Sequence, residues 1–123
     1  MKKTETPIDF EINKSHNDIE VSYVDLFEIS QGGPVVGSMI INGRKLIGRY
    51  GGPVLFDNDD LYAPAQVSKI FGTGFKLAKI DTQTLEVVFL GKIKDLIFLD
   101  KIEGGYIYFF EDISKTIYKS YSF

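Results

Sequence analysis

Residues 32–53 read GGPVVGSMIINGRKLIGRYGGP, and this stretch decides the fold. Two Gly-Gly-Pro breaks, Gly32-Gly33-Pro34 and Gly51-Gly52-Pro53, enclose two apolar runs joined by Asn42-Gly43. Asn-Gly between apolar runs is the strongest short-range hairpin signal, because both turn residues take positive φ. A strand over 35–41, a turn at 42–43 and a returning strand over 44–47 follow. Outward from this hairpin the same grammar repeats. Ile19, Val21 and Tyr23 alternate with Glu20 and Ser22, which is the period of a half-buried strand. Ile8, Phe10 and Ile12 alternate with Asp9 and Glu11 in the same way, and 14–18 reads as the turn between. The alternation blurs at 24–29, as in a bulged continuation or one short helical turn.

Downstream, Val54-Leu55-Phe56 and Leu61-Tyr62-Ala63 flank the polar turn 57–60, with Pro64 closing the second strand where a missing N–H does least harm. Residues 68–74 read as a loop. Strands over 75–80 and 85–90 flank the turn 81–84, with Leu85, Val87 and Phe89 sharing one face. Residues 91–95 read as a turn. Strands over 96–99 and 106–110 flank Glu103-Gly104-Gly105, and 116–121 is the last strand. No segment sustains the i, i+3, i+4 spacing of a long helix. Ten to eleven short strands, with turns about every 8–12 residues, give an all-β, antiparallel meander. One domain over residues 1–123 is expected, built as two packed sheets or one strongly twisted sheet, with little helix.

Composition narrows function by exclusion. The chain of 123 residues is long enough to bury a core, and its 44% hydrophobic and 25% charged fractions are those of a globular protein rather than a disordered one. It contains no Cys, so neither disulfides nor thiolate zinc sites are available. The basic start Met1-Lys2-Lys3 is not followed by an apolar run, unlike a secretory signal. No stretch approaches the roughly 18–20 apolar residues of a spanning helix. The expectation is a cytoplasmic protein that does not enter membranes. Residues 1–30 carry three Lys and seven Asp/Glu, summing to −4, and residues 31–123 carry eleven Lys/Arg and ten Asp/Glu, summing to +1. An acidic N-terminal third opposes nucleic-acid binding and suits a basic protein partner.

Few residues offer chemistry. Asp57-Asn58-Asp59-Asp60 begins like a calcium loop, but the sixth and twelfth positions are Tyr62 and Ser68 where Gly and Glu are needed. Glu111 and Asp112 are adjacent in a strand and so point to opposite faces. Neither Gly-Gly-Pro nor Gly72-Thr73-Gly74 leads into a helix that would hold phosphate. His16, the one histidine, lies in a polar turn without a positioned neighbour. No catalytic residue, metal ligand or cofactor is therefore assigned. The aromatic set Tyr106, Tyr108, Phe110, Tyr118, Tyr121 and Phe123 supplies either core packing or interface anchors.

Two resemblances bear on this. VLFDNDDLYAP with FKLAKIDTQTLEVVFLG, and then LIFLDKIEGGYIYFFED, resemble the blades of β-propellers over residues 51–112, although the chain is too short for the four blades of a closed ring. The profile of a small, acidic, cofactor-free β domain is similar to that of bacterial immunity proteins, which neutralise a cognate toxin. That resemblance implies a non-enzymatic protein-binding module of the toxin–antitoxin type. Asp18, Glu20, Asp25 and Glu28 would steer a basic toxin, and Asp57, Asp59, Asp60 and Tyr62 would form a second patch. The alternatives are a carbohydrate- or small-ligand-binding domain with a Tyr-lined groove, an enzyme whose carboxylates meet only in the fold, and a subunit that self-associates through strand edges.

Overall fold

A computed structural model describes residues 4–69 and 72–122. It is all-β and antiparallel, and the described residues contain no helix. Eleven strands run in chain order: β1 (Asn13–His16), β2 (Ile19–Glu28), β3 (Val35–Ile41), β4 (Arg44–Lys45), β5 (Leu55–Asp57), β6 (Asp60–Ser68), β7 (Thr73–Asp81), β8 (Val87–Lys94), β9 (Phe98–Glu103), β10 (Tyr106–Phe110) and β11 (Tyr118–Ser122). They form three consecutive meanders rather than two sheets. The first orders β1-β2-β3-β4, the second β5-β6-β7-β8 and the third β11-β10-β9.

The turns form where the turn chemistry lies. Asn17 and Asp18 join β1 to β2 with φ of 47° and 66°, and Asn42 and Gly43 join β3 to β4 with φ of 47° and 80°. Such left-handed pairs match the right-handed twist of the strands they connect. The 24–29 segment is a bulged strand. The β2–β3 register shifts between Val24 and Phe27, and Asp25 takes φ 55°.

The second sheet is the middle layer. Leu61, Ala63, Ala65, Ala78 and Ile80 face a first core shared with Ile19, Val21, Tyr23, Met39 and Ile41 of the first sheet. Tyr62, Phe75 and Leu77 face a second core shared with Leu99, Ile107 and Phe109 of the third. Burial on both faces explains why 61–65 is continuously apolar rather than alternating. The first two sheets also join edge to edge. Tyr50 bridges Gly37 of β3 on one side and Ala65 of β6 on the other.

Several local expectations give way. Residues 7–9 are a bend, and 8–12 form no strand: Thr6 Oγ1 accepts from the N–H groups of Ile8 and Asp9, which curls the chain and sends Phe10 alone into the first core. Strand β6 does not end at Pro64 but runs on to Ser68. Pro64 O accepts from Gly51 N, and the return bond that Pro64 cannot donate to Gly51 O is replaced by the Tyr23 hydroxyl, which donates to that oxygen at 2.6 Å. Within the 68–74 loop, Ile70 and Phe71 lie outside the described residues. Residues 91–94 belong to β8 as a bulge centred on Gly91, not a turn. Leu85 and Val87 pack on the first core, whereas Phe89 is 50% exposed.

Candidate functional site

Four hairpin turns gather at one end of the first two sheets, and hydrogen bonds lock them together. Glu20 N donates to Asn42 Oδ1 at 2.8 Å, and Asn42 N returns a bond to Glu20 O at 2.9 Å. Arg44 Nη2 donates to the carbonyls of Gln83, at 2.8 Å, and Thr82, at 3.3 Å. Thr82 is buried, and both its N–H and its hydroxyl donate to Asp59 O, at 3.0 and 2.7 Å. Asp81 Oδ1 accepts from the N–H groups of Gln83 and Thr84, forming the side-chain turn typical of Asp. The His16 ring stacks on Phe56 with centroids 5.1 Å apart, which joins β1 to β5. The histidine thus ends a strand instead of occupying a loop.

This end displays carboxylates. Asp18 and Glu20 come from the first sheet, and Asp57, Asp59, Asp60 and Asp81 from the second. Lys79 Nζ lies 3.7 Å from Asp60 Oδ2. Among the described residues, Asp18, Glu20, Asp57, Asp59 and Asp81 make no close ion pair. Arg44 points its guanidinium at backbone carbonyls rather than at a carboxylate. An open depression of about 540 Å³ runs alongside, lined by Lys14, His16, Leu55 and Phe56 among others.

The candidates from sequence therefore divide. Asp18 and Glu20 join Asp57, Asp59 and Asp60 in a single surface, to which Asp81 is added. Its sequence signal was present in the Asp-x-x-Thr turn, which reads as turn chemistry alone. Asp25 and Glu28 sit at the opposite end of β2, beside the β2–β3 connection, where Glu28 Oε2 accepts from Gly32 N. Tyr62 is not a surface anchor. It is 1% exposed in the second core, and burial, with Asp60 and Asp57 nearby, pushes its hydroxyl up to about 12.

A second surface lies on the outer face of the third sheet. Tyr106, Tyr108 and Phe110 alternate along β10, with Phe98 and Tyr118 opposite Phe110 on the flanking strands. Their rings form a continuous row, with centroids 6.2 Å apart from Tyr106 to Tyr108, 5.7 Å from Tyr108 to Tyr118, 4.5 Å from Tyr118 to Phe110 and 5.9 Å from Phe110 to Phe98. Lys101 Nζ lies over the Tyr108 ring, and Lys115 Nζ over Phe98 and Phe110. The Tyr118 hydroxyl donates to Asp100 Oδ2 at 2.5 Å, and this bond pushes its pKa up to about 12. Tyr106 and Tyr118 remain 44% and 46% exposed. Phe123 lies outside the described residues.

The described residues include no group of three or more His, Asp or Glu placed to hold a metal ion, and no helix long and apolar enough to cross a membrane. No family model, curated protein or solved structure matches the chain.

Proposed function

We propose that the chain is a non-enzymatic protein-binding module that engages a basic partner through its gathered acidic turns, as a cytoplasmic immunity protein engages a cognate toxin. The observation that carries this reading is the convergence of Asp18, Glu20, Asp57, Asp59 and Asp81, without close ion pairs among the described residues, on turns fixed to one another by Thr82 and Arg44. Carboxylates held on a rigid frame attract a basic surface at long range, and their ordering entropy is already spent before contact.

The test is capture of a partner from native lysate at about 50 mM and about 300 mM salt, between which screening of exposed charges rises steeply. One stoichiometric basic protein, weakened by salt, is expected. The triple variant Asp18→Asn, Glu20→Gln, Asp59→Asn should slow its association roughly tenfold or more. Asp25→Asn with Glu28→Gln, at the far end, should leave association unchanged. Equal effects from the two sets, or a partner indifferent to both, would remove the acidic end from the mechanism.

The aromatic row favours a second reading, a carbohydrate-binding β domain. Tyr106 begins the row with an exposed ring, and further along it Asp100 accepts from the Tyr118 hydroxyl. A thermal-shift screen with sugars, positive for the parent chain and negative for Tyr106→Ala, would establish that reading over the first.

A further inference from the structure

A cleft of about 290 Å³ separates the second sheet from the third, between β8 and β11. Both strands are edges of their sheets, so the cleft opens along one side of the molecule. Its floor is apolar: Leu77, Leu90, Ile97, Phe109 and Tyr121, all contributors to the second core. The volume is near the lower limit of small-molecule sites, which are characteristically apolar with a few polar groups at the rim.

The backbone holds the cleft open. At Gly91 the strand bulges with φ 76°, and a Cβ there would meet Tyr121 Cδ2 at 3.4 Å. A side chain at this position would be strained by the positive φ and would touch the ring that forms one wall. The bulge also shifts the pairing of β7 with β8, so that Phe75 faces Lys94 while Leu77 faces Leu90. This carries Lys92 and Lys94 onto the rim, opposite Lys119 of β11.

The three lysines are not equivalent. Lys94 Nζ lies 3.1 Å from Glu111 Oε2 and is neutralised there. Lys92 and Lys119 have no ion pair among the described residues. An apolar floor beneath two uncompensated cations is complementary to one kind of molecule. We infer that this cleft binds a small amphipathic carboxylate, with its hydrocarbon body on Leu77, Leu90 and Phe109 and its carboxylate between Lys92 and Lys119. The lysine stems extend the apolar wall and leave the ammonium groups at its edge. This site is separate from the acidic turns, and its occupancy does not depend on their partner.

The probes are hexanoate, octanoate, decanoate and, as the charge control, octylamine, titrated against the full chain with amide chemical shifts as readout. Octanoate should shift Leu77, Leu90, Phe109 and Tyr121 together. Affinity should rise about two- to fourfold per added methylene until the chain outgrows the cleft. Octylamine should not bind. Lys92→Glu with Lys119→Glu should abolish octanoate binding, and Lys92→Met with Lys119→Met, which keeps the stems, should weaken it at least tenfold. Both pairs are exposed, and unchanged spectra elsewhere report that each variant is folded. Absence of saturable octanoate shifts in the folded parent overturns the inference. So does equal binding of octylamine, or octanoate binding that survives both lysine pairs.

Discussion

Replacing Tyr23 by Phe tests how the first two sheets are tied together. Tyr23 lies in β2 with its ring against Phe10, centroids 5.0 Å apart, and its hydroxyl donates to Gly51 O at 2.6 Å across 28 residues of sequence. Gly51 in turn donates its N–H to Pro64 O at 2.8 Å, so one hydroxyl links the first sheet, the bridging segment and β6. Phe keeps the ring and its packing and removes only the donor. Gly51 is buried, and a buried carbonyl stripped of its donor costs about 1–3 kcal/mol. For a chain of this size that lowers Tm by roughly 4–12 °C. Tyr50→Phe is the internal comparison. Its hydroxyl donates to Ile47 O at 3.0 Å, but Ile47 is 95% exposed and water can replace the donor, so the loss should stay below about 1 kcal/mol. Urea unfolding of both variants, with the m-value unchanged, reads the difference directly. A Tyr23→Phe loss no larger than that of Tyr50→Phe would refute the role given to the Gly51 bond.

The raised tyrosines fix the alkaline limit. Tyr62 and Tyr118 are pushed up to about 12, and burial raises Tyr23 further. The folded state therefore holds protons that the unfolded chain releases near 10, so stability is full below that pH and falls as pH rises through 10 towards 12. Ultraviolet phenolate titration beside unfolding at each pH checks this, and all seven tyrosines ionising together near 10 in the folded chain would contradict it. Gly52→Ala should cost about 1–3 kcal/mol in urea unfolding, because a Cβ there lies 2.6 Å from the ring of Phe10, which is buried and backed by Tyr23. Asp112 accepts from the Thr116 hydroxyl and from the N–H groups of Thr116 and Ile117, and these bonds hold its carboxyl below the ordinary value, the Thr116 hydroxyl foremost. The order it gives to 112–117 is full above the ordinary carboxylate pKa and is lost as pH falls through its own. The protection of the Thr116 and Ile117 amides, exchange being compared with the intrinsic rate at each pH, should fall on acidification and be already low in Asp112→Ala at neutral pH.

The parts of the fold legible in the sequence are those written locally. Asn42-Gly43 and Gly104-Gly105 set hairpins because positive φ is required at both positions, and all four residues adopt it. Strand β2 was legible because Ile19, Val21 and Tyr23 alternate against a solvated face. Proline reads as the end of strand β6 because its lost donor needs a substitute, and only the tertiary arrangement, which brings the Tyr23 hydroxyl to Gly51 O, supplies one. The alternation of Ile8, Phe10 and Ile12 misled for a related reason. Period 2 over three apolar residues cannot be told from a capped bend in which one side chain goes inward. The layering was also hidden. A continuous run such as 61–65 marks burial on both faces, but it does not name the covering sheets.

The acidic end was half legible, and the reason bears on its function. Asp and Asn serve turns because their side chains bond nearby backbone and tolerate positive φ. Asp18 at φ 66° and Asp81 with its two accepted N–H groups are explained by turn chemistry without any partner. Asn satisfies both requirements equally, as Asn17 and Asn42 do in the neighbouring positions. Folding therefore asks for an oxygen at these sites and not for a charge. Glu20 makes the point more sharply. It lies within β2, faces solvent, and uses only its backbone in the contact with Asn42. Isosteric amides at Asp18, Glu20 and Asp59 accordingly leave the hairpins their acceptors and remove only the field. A fall in association with no fall in stability would then assign the carboxylates to recognition, whereas loss of both together would return them to the turns.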